Sequence, residues 1–314
     1  MNPIFEGNQS FQEPLSERVQ NGISTIRKLH EETKSLSSDQ IENFSQKIST
    51  FTDITPELFR LMEKPETFFP ILEICVQTAE TYDQLRAHDE YYFYNRDTNC
   101  MRRESLFMLS CAINFLENES THKFSYTQNQ SLLVTKAIEV CIHSSDAASI
   151  DSAVNFYNKH KDELTAISNT LKTTEDILSS IESYIKSEGF IINAARALDR
   201  DFRSMDGKNI RYCNHVIDEF LLSKGLNADK LEASWLARNQ KEGYLSIGDN
   251  VEQIIQLEKV KPGITAFLYK EYGIRNFYRY PREILIDQFE NHNKNDLPYN
   301  YLKTNLLSTS LLTF

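Results

Sequence analysis

His215, Asp218 and Glu219 stand at i, i+3 and i+4, so a helix through them carries all three on one face. A carboxylate that orients an imidazole is the arrangement of a general base or of half a metal site. The same spacing also makes an ordinary surface ion pair. Two Cys-x-His pairs, Cys141/His143 and Cys213/His215, offer soft ligands two residues apart. On a helix such residues point about 200° apart and do not share an ion, so no metal site is expected. Cys100 lies beside Arg102 and Arg103, and neighbouring cations favour a thiolate. If the chain is an enzyme, a hydrolase or transferase with a Cys/His–carboxylate site assembled between helices, Cys100, His215 and Asp218 are its candidate catalytic groups.

Other chemistries are excluded by what is missing. Neither H-E-x-x-H nor C-x-x-C occurs, nor the glycine-rich phosphate loops, nor the G-x-S-x-G elbow. No cofactor is expected. The stretch Gly248-Asp249-Asn250 reads as a turn that caps a helix from Val251.

Two stretches have the composition of binding surfaces. "YDQLRAHDEYYFYNRD", 82–97, carries four successive rings, and Tyr91, Tyr92 and Tyr94 are candidate contacts with a partner. "YGIRNFYRYPREILIDQFE", 272–290, sets Arg275, Arg279 and Arg282 among aromatic residues. Those arginines either stack on the rings and pair with Glu271, Glu283 or Asp287, or they dock an acidic peptide or phosphorylated ligand.

The elements that must hold these groups are helical. Glycine is absent from Ile23 to Glu188 and proline from Ile71 to Lys261, which denies hairpins their usual turn residues. Apolar stripes at helical spacing run through Leu15, Val19, Ile23 and Ile26, then Ile41, Phe44, Ile48 and Phe51. A short helix is expected after Thr55-Pro56, a longer one over 66–94, and a nearly all-apolar, central one over 101–116. Ile150, Tyr157, Leu164, Leu171, Leu178 and Ile185 recur every seven residues, with Ala153, His160, Ile167, Thr174 and Ile181 as the second seam. That pattern fits one long helix, or two meeting near Lys161-Asp162, in a bundle or in a dimeric coiled coil. Beyond Gly189, glycines are frequent and the expected helices shorter. Among them is a helix–corner–helix at 262–292, with Gly273 ending one helix and Pro281 starting the next.

The net charge of −11 argues against a nucleic-acid surface. Five scattered cysteines suit reduced thiols. No transmembrane run and no Sec-type leader is recognised, so a cytoplasmic product is expected. The whole chain is acidic, helical and rich in Asn, Lys, Ile, Tyr and Phe; in this it resembles the effector proteins that intracellular bacteria inject into host cells. That resemblance implies delivery into a host cell and binding of a host protein. The expected protein is therefore an all-α, multi-helix bundle: a long-helix domain over 1–188, a short-helix domain over 189–314, and a function as a protein-interaction or scaffold module.

Overall fold

The computed structural model describes residues 15–34, 45–88, 96–119, 127–168, 172–201, 211–226 and 246–291. The described residues form twelve α-helices and one 3-10 turn, Phe277–Arg279, with no strand among them, so the fold is all-α. The helices are α1 (Glu17–Thr33), α2 (Ser45–Met62), α3 (Pro65–His88), α4 (Arg96–Glu119), α5 (Gln128–Ile142) and α6 (Ala147–Ser168). They continue with α7 (Lys172–Ile185), α8 (Glu188–Asp201), α9 (Arg211–Ser223), α10 (Ile247–Val260), α11 (Ile264–Tyr272) and α12 (Arg282–Asn291). The chain clusters into two compact units: residues 1–186 with 208–212, and residues 187–207 with 213–314.

In the first unit, α3 packs on α1, α2, α4 and α5, and α4 packs on α2, α3, α5 and α6. Ile71, Leu72, Ile74 and Cys75 of α3 are fully buried with Met108, Leu109 and Ile113 of α4. The expectation that α4 is apolar and central holds with one exception. Phe107 is 57% exposed and stacks on the half-exposed Phe59 of α2, ring centroids 6.1 Å apart.

Helix α2 corrects the sequence reading. The predicted break at Thr55-Pro56 does not occur, and one helix runs through Pro56. Proline in a helix interior removes a backbone bond and costs about 3 kcal/mol. Here Phe51, Ile54, Leu58 and Met62 form a single buried stripe on both sides of the proline. Each such side chain contributes about 1.5–3 kcal/mol on burial, so tertiary packing outweighs the local breaker. Thr55 Oγ1 donates back to the Phe51 carbonyl at 2.9 Å on the same turn.

The heptad segment is two helices, α6 and α7, which pack on each other and on α5. Helix α6 is described to Ser168 and α7 from Lys172, and Lys161-Asp162 remain in α6. Ile150, Tyr157, Leu164 and Leu178 are buried, as are Ala153, His160, Thr174 and Ile181. These described seam positions are filled within the chain, as in a bundle helix.

The second unit is organised on α10, which packs against α8, α11, α12 and the 3-10 turn. Its start is also a correction: Gly248, Asp249 and Asn250 lie in the first turn of the helix, and Ser246 caps it, accepting from the Asp249 N–H at 3.0 Å. Asp199, at the end of α8, adds a second cap. Its carboxylate accepts from the Ile247 N–H at 2.6 Å, the Gly248 N–H at 2.7 Å and the Ser246 hydroxyl at 3.1 Å. A negative group at a helix N-terminus satisfies orphan donors and the macrodipole together. Burial nonetheless pushes the Asp199 carboxyl above its ordinary value, against the pull of these three bonds. Gly248 permits the approach: a methyl there would overlap Arg196 Cγ of α8 and sit 3.3 Å from its Cα.

Candidate functional site: an arginine corner held against α10

The corner joins α11 to α12. Gly273 ends α11 at φ 66°, a left-handed geometry that favours glycine. The chain then passes Ile274, Arg275 and Asn276 into the 3-10 turn and on to Pro281. Ile274, Phe277 and Tyr280 are buried, so most of the aromatic content of this stretch anchors the corner. Phe267 of α11 meets Phe289 of α12 edge to face, centroids 5.1 Å apart, and closes the angle between the two helices.

Two side chains of α10 hold the corner backbone. Asn250, itself buried, donates from Nδ2 to the Arg275 carbonyl at 3.0 Å and accepts at Oδ1 from the Phe277 N–H at 2.7 Å. Gln253 Nε2 donates to the Tyr280 carbonyl at 3.3 Å. Buried loop carbonyls and amides need such partners.

On the outer side lies an open groove of about 730 Å³, bounded by α10, the 3-10 turn and the start of α12. Arg279 and Arg282 line it together with Tyr278 and Tyr280. Arg275 is exposed on the corner but does not line the groove. The groove also carries Asp249, Glu252 and Glu283. Glu252 is already engaged by Arg196 at 2.5 Å. The expected internal pairing of Arg275, Arg279 and Arg282 with Glu271, Glu283 or Asp287 is not formed: none of the three guanidiniums has an ion pair or hydrogen bond to a described residue. The Nε of Arg282 is buried without a partner.

The other candidates are dispersed. Tyr91, Tyr92 and Tyr94 lie outside the described residues. Cys100 falls within α4, but its side chain is also outside them. His215 Nε2 lies 3.2 Å from Glu219 Oε1 on an open face of α9, both side chains more than half exposed. Asp218 is half-buried and engaged elsewhere. Cys75, Cys141 and Cys213 are buried, and burial pushes the thiols of Cys75, Cys111 and Cys141 up, which keeps them protonated. Among the described residues no group of three His, Cys, Asp or Glu side chains is placed to hold a metal ion, and no helix is long and apolar enough to cross a membrane.

Sequence reasoning missed a second concentration of charge, a cleft in the first unit lined by His30, Glu80, Lys136, Glu139 and His143. Compared with known proteins, the chain matches no family model, no curated protein and no solved structure.

Proposed function

We propose that the chain is a helical interaction module whose second unit docks an acidic or phosphorylated segment of a partner protein on the arginine corner. The observation that carries this reading is the set of three guanidiniums, Arg275, Arg279 and Arg282, without carboxylate partners among the described residues of a chain of charge −11. Planar guanidiniums recognise carboxylate and phosphate in two-pronged geometry. The backbone bonds from Asn250 and Gln253 preorganise the corner, which lowers the ordering cost of binding. Tyr278, half-buried at the groove, adds rigid contact area of the type enriched at interfaces. The compositional resemblance to injected effectors makes a host-cell protein the source of the docked segment in this reading. Among the described thiols, those of Cys75, Cys111 and Cys141 are held protonated and give no support to a cysteine nucleophile.

The test is a peptide array of acidic, phosphoserine and charge-neutral sequences, probed with the wild type and with an Arg275→Glu/Arg279→Glu/Arg282→Glu variant whose helicity is unchanged by circular dichroism. The expected result is binding of acidic or phosphorylated peptides that weakens at least tenfold in the variant. Equal binding by both proteins, or no preference for negative peptides, overturns the reading.

A further inference from the structure

We infer that the cleft bounded by α1, α3 and α5 is a binding site for a primary ammonium group, carried by a free polyamine or by a lysine side chain. The cleft encloses about 580 Å³, within the range of small-ligand sites. Helix α3 packs on both α1 and α5 and contributes Glu73, Gln77, Glu80 and Asp83. Helix α1 and its C-cap add His30, Glu31 and Lys34, and α5 and its C-cap add Lys136, Glu139 and His143.

Three acceptors of the lining, on His30, Gln77 and Glu139, are short of a donor. Thr81 Oγ1 donates to the Gln77 carbonyl at 2.6 Å, so the same oxygen, 3.1 Å from His30 Nδ1, accepts from that nitrogen. The neutral imidazole therefore carries its lone pair on Nε2. That atom faces Glu80 Oε2 at 3.6 Å, acceptor against acceptor. His30 is only 6% exposed, and burial holds its imidazole below the ordinary histidine value, which favours the neutral ring. Gln77 donates from Nε2 to Glu73, at 3.3 Å, leaving its Oε1 buried without a partner. The Glu139 carboxyl has no hydrogen-bond or ion-pair partner among the described residues, and burial pushes it above its usual range.

The charges point the same way. Five carboxylates line the cleft against two lysines, and Arg27 of α1 pairs with one of them, Glu73, at 3.4 Å. Both lysines are engaged: Lys34 with Glu31 at 2.7 Å and Lys136 with Glu80 at 2.9 Å. An unmade bond on a buried acceptor is costly, because the group has lost water without gaining a donor. A ligand that relieves several such acceptors at once must be a multiple donor of positive charge. An ammonium brings three N–H donors and no acceptor. A divalent metal fits less well, because no three of the described ligating groups converge. An anion would meet the carboxylates and lone pairs head on.

The experiment is calorimetric titration of the full chain with spermidine, with Nα-acetyl-lysinamide, with its Nε-acetylated counterpart and with magnesium chloride, all at constant ionic strength. Wild type is compared with Glu139→Gln and Glu80→Gln. Saturable binding of spermidine, of the lysine derivative or of both is expected, with at least tenfold weaker binding in the variants and none by the acetylated compound. Spermidine alone identifies a free polyamine; the lysine derivative alone identifies a side chain of a partner. Should either variant fail to fold, the ring resonances of His30 and His143 in the wild type are followed by NMR, and these are expected to shift on amine addition. Absence of saturable binding, equal binding by the variants, equal competition by magnesium, or unmoved histidine resonances overturns the inference.

Discussion

Asn250 and Phe277 are joined across 27 residues by a 2.7 Å bond from the Phe277 N–H to the Asn250 side-chain oxygen, and the Asn250 nitrogen holds the Arg275 carbonyl on the other flank of Asn276. Truncation strands two backbone groups at once. Asn250→Ala is expected to lower stability by about 2–4 kcal/mol, read by urea denaturation. It should also speed amide exchange at Phe277 in the folded protein. An unchanged midpoint with unchanged exchange would mean that the corner is held by aromatic packing alone.

Arg282 makes the opposite prediction. Its Nε is buried without a partner, so the folded state gains nothing from that polar atom. Arg282→Met keeps the apolar stem and should leave Tm unchanged or raise it, within about 1 kcal/mol. Loss of acidic-peptide binding without loss of stability would separate recognition from folding at this position.

Thr174 sits in the α7 seam, fully buried, with its hydroxyl unpaired. Thr174→Val replaces that oxygen by a methyl of similar size and is expected to stabilise the protein by about 1 kcal/mol, measured as a rise in the urea midpoint with unchanged m-value. A fall in the midpoint would show that the hydroxyl finds a bond after all.

Much of the architecture is legible in the sequence, and the exceptions share a cause. The all-α class follows from apolar period and missing turn residues, and Gly273 ends a helix by its own backbone freedom, which any sequence reader can see. Pro56 misleads because its local cost is visible, whereas the buried stripe of Phe51, Ile54, Leu58 and Met62 acts through tertiary contacts. The start of α10 misleads because half of its cap, Asp199, belongs to another helix. The acceptor-rich cleft needs α1, α3 and α5 in place before its groups meet. One signal was present: Glu73, Gln77, Glu80 and Gln84 recur at helical spacing on α3, among the buried Ile71, Leu72, Ile74, Cys75 and Val76, and a polar stripe on a central helix marks a face that solvent or a ligand reaches.

The histidines of the cleft give stability a pH dependence. Burial lowers both His30 and His143, with Glu80 opposing the shift at His30. Below the unfolded value of about 6.5 the unfolded chain binds the extra protons, so these rings make stability fall as pH drops through that region. Glu139, raised by burial, works in the contrary sense at lower pH. His30→Gln should therefore flatten the decline between pH 7 and pH 5.5 relative to wild type, as followed by thermal melts across that range. An unchanged slope would assign the decline to other groups.

Thiol reactivity offers a further check. The thiols of Cys75 and Cys141 are buried and held protonated by desolvation, and attack requires an exposed thiolate. Both are expected to resist alkylation in native buffer and to label fully in urea, as mapped by mass spectrometry. Rapid native labelling of either would require opening of the helices around them.

The Asp199 cap has a kinetic corollary. Helix α10 is started in part by a carboxylate 48 residues upstream of Ile247. Closing a loop of that length is an entropic step that must precede any benefit from the bond. Without α8, the N–H groups of Ile247 and Gly248 lack that carboxylate, and the local cap from Ser246 remains. The Asp199 share of the cap is thus gained through a long-range encounter between two helices, not through the winding of either one.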